Sequence, residues 1–277
     1  MNYLNFPLEQ WTNLFVDGWL LPTLGSTFDS FSNLMQGVVD GVTGILLFIP
    51  PELFAILIAI VAWKVAGRGL ALFALLGFFY IGAVNIWPEA MQTLSVVIVS
   101  TLFSLIIGVP VGILGALNSK AEAVIKPILD FMQTLPSFVY LIPAVLLFGL
   151  GGVPAVIATF IFAAPPAVRM TILGIHQVPK DVMEASRAFG STAKQLLFKV
   201  QLPMAVPTIM AGINQTIMLA LSMAVIASMI GAPGLGATVL SAISRVNVGL
   251  GLVGGLGIVV LAIVLDRLTQ GLGQAKA

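Results

Sequence analysis

The sequence predicts an all-α integral membrane protein of about seven transmembrane helices, and three observations predict it: an extreme apolar content, long unbroken apolar runs, and cations gathered into alternate loops. Of 277 residues, 59% are hydrophobic and 8% charged. A soluble domain of this size has too little interior to hide that much apolar surface. Lipid excludes open strand edges, and the runs lack the alternation of barrel strands, so the spans are helices. Composition also removes function classes. A net charge of +1 without a basic cluster gives no footprint for nucleic acid. The absence of cysteine removes disulfide and thiol chemistry, and one histidine, His176, with scattered carboxylates makes no metal site. No cofactor motif is present.

Residues 1–44 form the first region, expected as an extracytoplasmic amphipathic segment. They lack the basic start, apolar run and cleavage site of a signal peptide, so they are expected to stay on the mature protein. Leu8, Trp11, Phe15 and Trp19 fall near helical spacing, as do Phe28, Phe31, Met35 and Val38. Two amphipathic segments follow from this, lying either on the membrane surface or as an apron packed on the protein itself.

Seven apolar segments come next, near 50–66, 69–87, 93–117, 128–150, 152–172, 205–230 and 248–266. Each has the ~20 residues a crossing helix needs, or somewhat fewer where Pro and Gly intervene. Pro136, Pro143, Pro154, Pro165 and Pro166 predict kinked or broken helices between 128 and 172. Trp63, Tyr80 and Trp87 read as interfacial belt residues.

Orientation follows from the cations. Lys64 and Arg68 follow the first span, Lys120 and Lys126 the third, and Arg267 and Lys276 the seventh. Arg169, Lys180, Arg187, Lys194 and Lys199 surround the long loop after the fifth. Glu9, Asp17, Asp29, Asp40, Glu52 and Glu89 fall on the other side, where Arg245 alone breaks the pattern. The amino terminus is therefore expected outside and the carboxyl terminus in the cytoplasm.

The long loop reads Glu184, Ala185, Ser186, then Gly190, then Val200, Leu202 and Pro203. Pro179 suits a helix start, and the helix is expected to run to Phe189, where Gly190 supplies left-handed backbone. Thr192 and Gln195 are spaced as a capping box for a second helix, which Pro203 is expected to stop. This pattern resembles the permease subunits of ABC importers, whose signature is Glu-Ala-Ala, three residues, Gly, nine residues, Ile, one residue, Leu-Pro. Ser186 stands where that family usually has Ala, and Val200 where it has Ile.

The resemblance implies a coupling element that docks into a cleft of a separate ATPase, with Glu184, Ala185, Ser186, Arg187, Phe189 and Gly190 at the contact. It implies a type I importer core at 91–270, a coupling loop at 174–203, and two peripheral spans within 45–90. The chain carries no phosphate-binding loop, so it is a transport subunit and not an enzyme, with ATP bound and hydrolysed by its partner. One coupling loop per chain against two ATPase sites makes a permease homodimer on an ATPase dimer the economical assembly. An extracytoplasmic binding protein is expected to deliver the solute.

Residues Gln133 to Pro143, and Leu219 to Gly236, make the chain similar to the glycine betaine and proline permeases of osmoprotection. A trimethylammonium group prefers aromatic faces. Pro136, Ser137, Phe138 and Tyr140, with Asn214, Ser222 and Met223 on a later span, are the candidate path residues, against a packing role for the aromatics. A permease for amino acids or another small organic solute is the alternative. A secondary transporter commonly keeps ionisable groups inside its spans, whereas Asp130, Arg169 and Asp266 fall near the expected span ends here. Asp266 beside Arg267 reads as a helix-end pair, and His176 as exposed. A membrane-embedded enzyme would need a catalytic cluster, which the spans lack.

Overall fold

A computed structural model describes residues 7–274, and among the described residues there is no strand. Lys276 and the first six positions of the amino-terminal segment lie outside the described residues.

The amino-terminal region departs from the expectation of two segments. Helix α1 (Leu8–Phe15) passes through a π turn (Val16–Leu20) directly into α2 (Leu21–Phe48), so residues 8–48 form one helix. Pro22 lies inside this helix without breaking it, because the π turn that precedes it relieves the pressure of the proline ring on the Gly18 carbonyl. Met35 and Val39 are buried against Val96, Val99, Val153 and Val156, and Ser95 donates to the Val39 carbonyl at 3.1 Å. The distal part, toward Leu8, buries nothing and leaves Trp11, Phe15 and Trp19 more than half exposed.

Helices α3 (Pro51–Ala66) and α4 (Arg68–Ala83) form a tight hairpin, turned by Gly67 at φ +93°. Phe54, Phe78 and Trp87 meet edge-on where the hairpin joins the rest, with Phe54 5.0 Å from Phe78 and 5.3 Å from Trp87 between ring centroids. Trp87 is therefore buried core and not an interfacial belt residue; its spacing from the span could not reveal the two phenylalanines that cover it. Trp63 is exposed, and half-buried Tyr80 donates to the Val253 carbonyl.

Helix α5 (Trp87–Leu117) starts six residues before the expected span. It runs parallel to α8 (Gly152–His176), with Ser104 donating to the Phe160 carbonyl at 3.1 Å. The approach is close because the facing residues are small. A Cβ on Gly112 would lie 2.6 Å from the Thr171 Cβ and 2.8 Å from the Val168 carbonyl oxygen. Without a hydrophobic force between helices in lipid, this kind of backbone approach is what holds spans together.

Between them, the expected 128–150 span is two helices. Helix α6 (Ser119–Thr134) and the short segment from Ser137 through α7 (Leu141–Phe148) meet at a 108° bend. Leu135, preceding Pro136, is extended at ψ 134°, as the proline ring demands of its neighbour, and the helix ends there.

After α8 come α9 (Lys180–Ala188), α10 (Ala193–Leu196), α11 (Leu202–Ile226), α12 (Leu235–Ser244) and α13 (Val248–Gln274). Helix α11 returns antiparallel along α8, with Gly212 against Met170 and Gly174 against Ala205. Among the described residues, five helices are long and apolar enough to cross a membrane, or six if the bent pair makes one span. Residues 8–48 are among them, whereas α3 and α4 are shorter.

Packing also sorts the helix ends. His176 reaches the Ala116 carbonyl at 3.2 Å, and Gly271 meets Val65, so the ends of α3, α5, α8 and α13 gather around the long loop. The cations Lys64, Arg68, Lys120 and Arg267 collect at that end of the bundle. At the other end, Gly257 of α13 meets Ile86 and Leu235.

Candidate functional site

The loop from Gln177 to Gln201 is built as its sequence requires. Pro179 is extended at ψ 136° and opens α9, which ends at Ala188 with Phe189 as its cap residue, one short of the expected end, and Gly190 takes φ +82°. Thr192 and Gln195 form the capping box: the Thr192 amide donates to Gln195 Oε1 at 2.8 Å, and the Gln195 amide to Thr192 Oγ1 at 3.3 Å. Ser186 acquires a role here, donating from its hydroxyl to Ser191 Oγ at 2.9 Å and stapling the turn around Gly190.

Pro203 does not stop the second helix. In an α-helix its ring would press on the Lys199 carbonyl, and the backbone instead takes a π turn at Leu197–Gln201 and continues into α11. Residues 193–230 form one continuous helical stretch. Leu196 and Leu197 are buried beneath the loop, the latter against Ile175 and Ala205. The tip is left outside: Glu184, Ala185, Arg187 and Gly190 are exposed and Phe189 is 92% exposed, with Ser186 half-buried. Among the described residues Glu184 and Arg187 make no ion pair. An almost bare phenylalanine near two charges outside any ion pair thus stands on a capped turn.

The candidate path residues do not form one cluster. Tyr140 is buried, donates to the Met132 carbonyl, stacks edge-on with Phe162 and packs in one core with Met223. The hydroxyl thus straps the 108° bend, a packing role. Tyr140 also borders an apolar cavity of 400 Å³ with Val139, Pro143 and Ile161. Pro136 and Phe138 are exposed and Ser137 half-buried beside it. Ser222 is exposed on α11, its hydroxyl turned back to the Met218 carbonyl.

Asn214 lies elsewhere. It borders a cavity of 390 Å³ between α11 and α13, lined also by Met210, Gln215, Thr269 and Gln270. Its amide donates to Asp266 Oδ1 at 2.8 Å, and Gln270 donates to the same oxygen at 2.7 Å. Asp266 is therefore not a helix-end residue: α13 continues about two turns beyond it. Arg169 likewise stands within α8, paired with Asp130 of α6. The sequence carried a signal for both, an acid or base inside an apolar run, but placing the span ends too early hid it. His176 is exposed, 3.8 Å from Glu122.

Residues 108–276 match the family described as binding-protein-dependent transport system inner membrane component. The glycine betaine transport system permease protein OpuAB of Bacillus subtilis is 50% identical over 98% of this chain and 95% of its own length. The glycine betaine/proline betaine permease protein ProW of Escherichia coli is 50% identical over 97% of this chain and 75% of its own. The glycine betaine/carnitine permease protein GbuB of Listeria monocytogenes is 50% identical over 97% and 96%. The inward-facing MetNI methionine ABC transporter shares the fold, with a TM-score of 0.62 at 24% identity over 67% of this chain and 93% of that one.

Proposed function

The chain belongs to the inner membrane components of binding-protein-dependent transport systems, and from that membership we propose how it works as the permease of an importer for betaines. It is a multi-pass membrane subunit of the type I ABC importer fold, and its solute is glycine betaine or proline betaine. The observation that carries the mechanism is the exposed, capped tip from Glu184 to Gly190, continuous with α11.

In this reading the tip docks on a separate ATPase, Phe189 filling an apolar socket and Glu184 and Arg187 finding partners at its rim. Two copies of the chain stand on two ATPase subunits, a binding protein delivers solute at the opposite end, and the chain itself holds no cofactor. Nucleotide shifts the inward and outward forms only through a docking contact that differs between them. Residues 91–270 act as the transport core, 45–90 as a peripheral pair and 1–44 as an extracytoplasmic addition. Ser222, Phe138 and Pro136 line the path from exposed positions and Ser137 from a half-buried one, with Asn214 nearer its inner end; Tyr140 and Met223 support it from beneath.

The test is uptake of labelled glycine betaine by vesicles holding the chain with its ATPase and binding protein. ATP-dependent uptake, outcompeted by proline betaine, is expected. Uptake that persists without ATP would overturn the importer mechanism, and ATP-driven transport of an amino acid instead would overturn the solute.

A further inference from the structure

Helix α11 reaches the long loop without a break, so a displacement of the loop enters the membrane along it. Of its long-helix neighbours, α8 and α13 flank its inner half and hold it differently. Toward α8 the contact is made of small residues, Gly212 under Met170 and Gly174 under Ala205 and Thr208. Toward α13, among the described residues, one side-chain hydrogen bond crosses: Asn214 to the Asp266 carboxylate at 2.8 Å. Gln270 donates to the same oxygen at 2.7 Å, and Arg267 Nε stands 3.7 Å from the other. Helix α13 is in turn keyed to the peripheral hairpin, Gly271 against Val65 and Gly77 against Val260.

We infer that Asp266 is a positioning residue for coupling: through Asn214 it makes α11 and α13 move as one body, carrying loop displacement into the far side of the bundle. The inference rests on the importer reading. A carboxylate inside a helix, held by two amide donors, is costly to strip of its partners, so the contact between α11 and α13 stays made through the cycle. The Asn214 Oδ1 atom is buried without a donor, so Asn214 is oriented by its bond to Asp266.

The test compares solute moved per ATP hydrolysed in proteoliposomes of the whole transporter, at matched amounts of membrane-inserted chain. Wild-type protein is measured first: if it shows no ATP-driven uptake, the importer reading fails, and that result is distinct from any effect of the variants. Asp266→Leu and Asn214→Leu are each expected to lower the ratio at least fivefold while hydrolysis persists. The exchanged pair, Asn214→Asp with Asp266→Asn, is expected to restore it to within twofold of wild type.

A second measurement replaces the bond with a covalent one. The chain has no native cysteine, and a Cβ on Gly273 would lie 3.2 Å from the Met210 Cβ, within reach of a disulfide. Adding Met210→Cys and Gly273→Cys to Asp266→Leu is expected to restore coupling under oxidant and lose it under reductant. Wild-type ratios in both leucine variants, or a loss that neither the exchange nor the disulfide repairs, would overturn the inference.

Discussion

At Gly190 the backbone stands at φ +82° with nothing within 4 Å of a built Cβ, so the constraint is conformational and not one of space. A side chain there costs about 1–2 kcal/mol, and more for a β-branched one. Gly190→Val is therefore expected to leave the chain in the membrane at wild-type amounts but cut ATP-driven uptake severalfold, measured in vesicles. Thr192→Ala removes one half of the capping box, worth about 1 kcal/mol, and is expected to raise proteolytic cleavage of the loop over wild type. These residues were legible in the sequence because each acts on backbone within a few positions of itself. Tyr140 and Trp87 were not: a ring's partners come from other helices, and spacing along its own helix says nothing of them.

Among the elements, the α5–α8 contact is sensitive to size. Gly112→Val would push a branched side chain into the Thr171 Cβ and the Val168 carbonyl, a clash that backbone cannot relieve cheaply. Overpacking of this kind costs about 1–3 kcal/mol. The purified variant is expected to lose its fold at a lower temperature than wild type, while Gly25→Val, with nothing within 4 Å, is expected to keep the wild-type value. Span positions were readable from apolar runs, and the break near Pro136 from its effect on Leu135. The continuity of helices was less readable. Pro203 marks a stop by its chemistry, yet a π turn absorbs it, and two separate sets of helically spaced apolar residues, Leu8 to Trp19 and Phe28 to Val38, suggested two segments where one helix runs through. Asp266 and Arg169 were hidden for the same reason: apolar character fades before the helix ends, so the spans were closed too soon.

At the scale of the whole molecule, the exposed loop tip at one end of the bundle is where the proposed importer would meet its ATPase. The purified complex is expected to have a mass that fits two copies of this chain and two ATPase subunits. The most direct test of the coupling claim is to follow ATP hydrolysis and glycine betaine uptake together, in the same proteoliposomes, for wild type and Glu184→Lys. Charge reversal at the exposed tip is expected to abolish uptake while the chain stays in the membrane and its ATPase still hydrolyses ATP without moving solute. Uptake by Glu184→Lys at the wild-type rate, with the wild-type ratio of solute to ATP, would contradict the coupling account.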